Sequence, residues 1–145
     1  MRLPAHDILI ERAIAWALER VGSHDYALQC LSFVEDAYEL GNGLVLDGCA
    51  SAKEEADAYG ASERPGPPPR GALACYDCTG DINGETPNWG HIRLSLGDGR
   101  VIHAWGVVRI DDYLAIEQLC ASGWTAPRYI GWAPLERVLV PASPR

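Results

Sequence analysis

The stretch Ser62-Glu63-Arg64-Pro65-Gly66-Pro67-Pro68-Pro69-Arg70 limits the folds open to this chain more than any other feature. Proline lacks a backbone N–H and fixes φ, so neither a helix nor a central strand can run through it. The hydrophobic period differs on its two sides. Before it, Ile10, Ala13, Ile14, Ala17, Leu18 and Val21 recur at helical spacing, with Asp7 placed to cap the start and Gly22 to end the helix. A second stripe, Cys30, Phe33, Val34, Ala37 and Tyr38, has Glu35, Asp36 and Glu39 opposite it and Gly41 as a stop, and Ser51 to Tyr59 suits a third, short helix. After the prolines the pattern becomes extended: Ala72 to Tyr76, His91 to Leu96, Arg100 to Trp105 and Val107 to Ile110 read as strands. Asp77 to Gly90 is then a loop, Asp111 to Cys120 a helix, and Arg128 to Trp132 a last strand. Helices followed by strands predict an α+β fold.

The chain has 145 residues, 48% of them apolar, which suits one domain, residues 1–145, around its own core. A formal net charge of −8 repels polyanions and argues against binding nucleic acid or an anionic membrane surface. The longest apolar run, Ala13 to Leu18, is far below the roughly 18 residues a spanning helix needs. Residues 1–11 lack the pattern of a secretory signal, so a cytoplasmic location is expected, with export by a non-classical route as the alternative. Five cysteines, scattered and odd in number, suit reduced thiols rather than a disulfide framework.

The chemistry concentrates in His91-Ile92-Arg93-Leu94-Ser95-Leu96-Gly97-Asp98-Gly99-Arg100-Val101-Ile102-His103-Ala104, two extended runs around a glycine turn. A two-residue turn would pair Leu94 with His103 and put the two histidines on opposite faces. A three-residue turn, with Gly99 left-handed, pairs Arg93 with His103. His91, Arg93, Ser95, His103 and Trp105 then share a face, while Ile92, Leu94, Leu96, Ile102 and Ala104 form an aliphatic layer. In that register the two imidazoles are diagonal neighbours within mutual reach. Cys30 opens a predicted helix, where backbone amides and a nearby imidazole can lower a thiol pKa. His91 would then take the thiol proton, His103 would fix the tautomer of His91, and backbone amides near Cys30 would bind an oxyanion. Taken singly, Cys30 on a core stripe reads as a packing residue.

Cys30-Leu31-Ser32-Phe33-Val34, Gly71-Ala72-Leu73, and His91 through the glycine turn to Val101-Ile102-His103-Ala104 resemble the NlpC-type family of papain-like cysteine peptidases of bacterial cell-wall turnover. Tyr129-Ile130-Gly131-Trp132, followed by Leu135 to Leu139, resembles that family's closing strand. The resemblance implies a papain-like fold, with the nucleophile opening a helix packed on an antiparallel sheet. It implies Cys30 as nucleophile, His91 as base and His103 as the third polar residue. The chain departs from the family around the nucleophile, where Gln29-Cys30-Leu31-Ser32 stands in place of Asp-Cys-Ser-Gly. Arg93 replaces a small residue and is expected to select a substrate carboxylate.

Trp105 and Trp89 are expected to wall a groove for a peptide backbone, and the resemblance makes Tyr26 a candidate oxyanion donor, beside its reading as a helix-packing residue. Cys75-Tyr76-Asp77-Cys78 has the spacing of a metal or redox pair, but it lacks a second pair and reads as packing, so no metal or other cofactor is expected. Cys49 and Cys120 carry no signal beyond burial. The expected activity is hydrolysis of an amide in a peptide or small molecule through a thioester on Cys30. The alternatives are an acyltransferase of the same fold and a non-catalytic binding module. The sequence is silent on oligomeric state.

Overall fold

The computed structural model describes residues 5–26, 29–46, 52–81, 84–85, 87–136 and 143–144. Helix α1, His6–Leu18, buries Ala13, Ile14 and Ala17 of the expected stripe, but Leu9 takes the place expected for Ile10, which is only partly buried, and Leu18 is 45% exposed. Asp7 does not cap it: Ala5 holds the N-cap position, and Asp7 lies inside the first turn, where its carboxylate meets the positive end of the helix dipole. Val21 falls beyond the helix and is 50% exposed. Helix α2, Cys30–Asn42, buries Leu31, Phe33, Val34, Ala37 and Tyr38 and runs through Gly41. The stop is Gly43, left-handed at φ +65°. Gly41 has a different task, because a Cβ there would lie 2.9 Å from the Arg12 carbonyl oxygen. The missing side chain lets α1 and α2 pack closely. Helix α3 spans Ala52–Ala58, and a 3-10 turn, Ala61–Glu63, leads into the prolines.

Beyond the prolines, β2 (Leu73–Asp77), β3 (His91–Ser95), β4 (Arg100–Trp105), β5 (Val107–Asp112) and β6 (Arg128–Ala133) form one antiparallel sheet in the order β5-β4-β3-β2-β6. A two-stranded ribbon of β1 (Leu44–Val45) and β7 (Ser143–Pro144) lies outside the sequence expectation. The helix expected over 111–120 is absent. Asp111 and Asp112 instead prolong β5, and only a 3-10 turn follows, Ala115–Gln118. The Asp112 side chain explains the change, since Oδ1 accepts the backbone N–H of both Leu114 and Ala115 and turns the chain off the strand.

The helices cover one face of the sheet. Leu73, Cys75, Ile92, Leu94, Leu96, Ile102, Ala104, Val108 and Ala133 join Leu9, Ala13, Phe33 and Val34 in the principal core. Fully enclosed residues such as Phe33 and Ile92 each contribute about 1.5–3 kcal/mol of burial. The opposite face carries a smaller cluster of Ala74, Tyr76, Val101 and Ile116 beneath Tyr113, Leu119 and Tyr129. The fold is α+β, with both halves of the sequence contributing to one core. Among the described residues no helix is long and apolar enough to cross a membrane.

Candidate active site

The β3–β4 hairpin takes the three-residue turn. Leu94 pairs with Ile102 and Ser95 with Val101, the Leu96 N–H donates to the Arg100 carbonyl at 2.8 Å, and Gly99 is left-handed at φ +87°. The register puts His91, Arg93, Ser95 and His103 on the face away from the helices. The ladder between β3 and β4 stops at Leu94–Ser95, and toward His91 the strands are no longer paired. Cys30 opens α2 at this end of the hairpin. The backbone amides of Ile92, Leu31 and Cys30 lie near enough to favour negative charge on its sulfur.

Several interactions fix the position of His91. Asn88 Oδ1 accepts the backbone N–H of Cys78 and of Gly90, Asn88 Nδ2 donates to Asp77, and the Lys53 N–H donates to the Trp89 carbonyl. Gly90 precedes His91 at φ +72°, and a Cβ there would fall 2.6 Å from the Lys53 nitrogen. Only glycine fits both the turn and the approach of α3.

His91 Nε2 lies 3.4 Å from His103 Nδ1, and His103 Nε2 lies 2.7 Å from Asp111 Oδ2. Asp111 is itself held by Arg109 through Nε at 2.8 Å and Nη2 at 3.0 Å. A carboxylate only accepts, so neutral His103 carries its proton on Nε2 and accepts at Nδ1. His91 must then donate from Nε2, which leaves the Nδ1 lone pair free to act as a base. The contact between the two rings is at the long end of hydrogen-bonding distance. Neither Asp111 nor Arg109 was expected from the sequence. The available signal was strand length: two more residues on β5 place Asp111 opposite Val101 and diagonal to His103.

Burial dominates the electrostatics. His91 and His103 are 6% and 0% exposed. Desolvation, then the Arg93 charge, then His103 hold His91 well below an ordinary histidine pKa. Burial brings His103 down to about 4 despite the hydrogen bond to Asp111. Burial raises Asp111, but hydrogen bonds from His103 and Arg109 outweigh it and bring the carboxyl to about 2. The expectation of a depressed Cys30 pKa fails here, because desolvation of the half-buried thiol outweighs the backbone amides and Arg93 and raises it. The thiol and both imidazoles are thus neutral at rest. No hydrogen bond joins Cys30 Sγ to either ring.

The remaining candidates divide. Trp105, partly exposed, packs its ring edge-on to His91 with centroids 5.2 Å apart. Trp89 Nε1 donates to the Gly80 carbonyl at 2.9 Å and anchors the loop before His91. Tyr26 is engaged away from the thiol: its hydroxyl donates to Asp36 at 2.6 Å and its ring packs on Trp16 and Phe33. Arg93 is fully buried, with its guanidinium carbon 4.2 Å from the Tyr76 ring centroid. Cys75 packs in the helix-side core, and Cys78 Sγ lies 3.3 Å from the Thr125 carbonyl oxygen. Cys120 is exposed, against the expectation of burial, because the segment carrying it is not a helix on the core, and Cys49 lies outside the described residues. Among the described residues no group of three or more His, Cys, Asp or Glu is arranged to hold a metal ion.

No known family model matches the chain, and no curated protein is significantly similar to it.

Proposed function

We propose that the protein is a thiol-dependent amide hydrolase of the NlpC-type, papain-like kind, acting on a peptide or small-molecule amide. The observation that carries this reading is the polarised relay from His91 through His103 to Asp111, with contacts of 3.4 and 2.7 Å, which leaves His91 Nδ1 as the one unengaged nitrogen of the two rings. Cys30 Sγ attacks the amide carbonyl while its proton passes to His91 Nδ1, so no ion pair need exist beforehand. The imidazolium formed is stabilised through His103 by Asp111 and returns the proton to the leaving amine. The backbone amides of Cys30 and Leu31 at the start of α2, with that of Ile92, favour negative charge at the sulfur and would bind a developing oxyanion. Water, activated by the same histidine, releases the acyl group. Substrate enters past Cys30 and Trp105, which are partly exposed, since both imidazoles are enclosed.

The test is a screen of muropeptides and simple peptide amides with wild type, Cys30→Ala and His91→Gln, read by product mass and by intact-protein mass. Turnover with a transient acyl adduct on Cys30, lost in Cys30→Ala, is expected. Turnover that survives Cys30→Ala, or no adduct and no turnover across the panel, refutes the assignment.

A further inference from the structure

The guanidinium of Arg93 is the one charged group of this site that the fold leaves without a counter-charge. It is 0% exposed, and Nε, Nη1 and Nη2 all lack a hydrogen-bond partner. Its contact with the Tyr76 ring face offsets part of the desolvation but satisfies none of its N–H donors. The surrounding groups do not supply the missing anion. Asp111 is committed to His103 and Arg109. Cys30 and Cys78 both have thiol pKa values raised by burial and rest uncharged. The Tyr76 hydroxyl, its pKa raised by burial, donates to the Tyr113 carbonyl and is also neutral, and His91 and His103 are neutral and become cations if they gain a proton. Burying a cation is expensive unless it is paired, so this one calls for an anion that the surrounding side chains do not supply.

We propose that Arg93 forms a buried subsite for a carboxylate carried by the substrate next to the scissile carbonyl, so the substrates are acidic amides. A planar carboxylate matches the fork of a guanidinium and accepts two of its N–H groups at once. The location favours the acyl donor rather than a remote part of the ligand, because Arg93 is two residues from His91 and within electrostatic range of Cys30. Assigning the carboxylate to an acyl donor rests on the reading of Cys30 as nucleophile. The anion subsite itself is testable without turnover.

Iodoacetate and iodoacetamide differ at the end that would meet Arg93. Each alkylates a thiolate, with the S–C bond forming as iodide leaves. Their rate ratio at Cys30, divided by the ratio at exposed Cys120 in the same sample, cancels both intrinsic reactivity and thiolate content. Peptide mapping by mass spectrometry resolves the two sites. In wild type the normalised ratio should favour iodoacetate by about tenfold or more, fall to about one in Arg93→Met and partly recover in Arg93→Lys. A wild-type ratio of one or less, or a ratio unchanged in Arg93→Met, overturns the subsite even if amide hydrolysis is found. If neither reagent reaches Cys30, unfolding midpoints at constant ionic strength decide. Succinate should then stabilise wild type but not Arg93→Met; equal responses in the two proteins, or phosphate acting as well as succinate, overturn the carboxylate assignment.

Discussion

Acid should destabilise this protein through His103 by an amount that follows from its surroundings. The ring is fully buried, and burial together with the Arg93 charge holds its pKa at about 4 against an ordinary 6.5. The unfolded chain therefore takes up this proton before the native state does. The penalty is absent above pH 6.5 and grows as the pH falls from 6.5 toward 4, at about 1.4 kcal/mol per unit. At pH 4.5 His103 alone costs about 3 kcal/mol. His91 is shifted in the same direction, while two carboxyls oppose it. Burial, then Glu35, raises Glu55 to about 8, and burial, then Glu39 and Asp36, raises Glu35 to about 7. Each of these gains stability as the pH falls toward the ordinary carboxylate range, so the wild-type curve mixes both signs. The difference between wild type and His103→Gln isolates the histidine, since glutamine keeps a donor for Asp111 and an acceptor for His91. Urea unfolding followed by tryptophan fluorescence should show wild type losing about 3 kcal/mol relative to the variant between pH 7.5 and 4.5. Asp111, at about 2, stays ionised throughout and does not confuse the reading. Curves that run parallel within about 0.5 kcal/mol would mean that His103 is not neutral and buried in the native state, and the relay would lose its basis.

Two further outcomes follow from the same interior. Asp111→Asn can donate to His103 Nε2 and move its proton to Nδ1, which faces His91 Nε2 with a second donor and reverses the tautomer of the base. Turnover should fall about 10² to 10⁴-fold with KM little changed, and imidazole 15N shifts should report the tautomer change without any substrate; unchanged shifts and kcat would remove Asp111 from the relay. Glu55, 1% exposed with Oε2 unpartnered, must ionise inside the core as the pH rises through 8. Glu55→Gln should therefore flatten the loss of stability between pH 5 and 9, which for wild type reaches about 4 kcal/mol from this group; an identical slope in the variant would show that the carboxyl is hydrated.

The local rules of the chain determined most of its elements. The stripes Ala13, Ile14, Ala17 and Phe33, Val34, Ala37, Tyr38 are helical because burial at every third or fourth residue is available in no other conformation. The turn Gly97-Asp98-Gly99 settles the register that puts His91 and His103 on one face, as one of two hairpins written in the sequence. Other features depended on partners distant in the chain. Whether Gly41 stops a helix or admits a neighbouring one depends on how closely α1 lies, and the extent of β5 depends on β4, which Asp111 joins opposite Val101. The same pairing brought Asp111 to His103, a contact with no local signature.

Tertiary structure alone decided the charge states. Sequence spacing puts a cysteine at a helix start and two histidines on facing strands, but it says nothing about how much water reaches them. Burial keeps the thiol protonated and the imidazoles neutral, and leaves the N–H groups of the Arg93 guanidinium without a hydrogen-bond partner. Desolvation is a property of the assembled interior, so no reading of neighbouring residues could supply it.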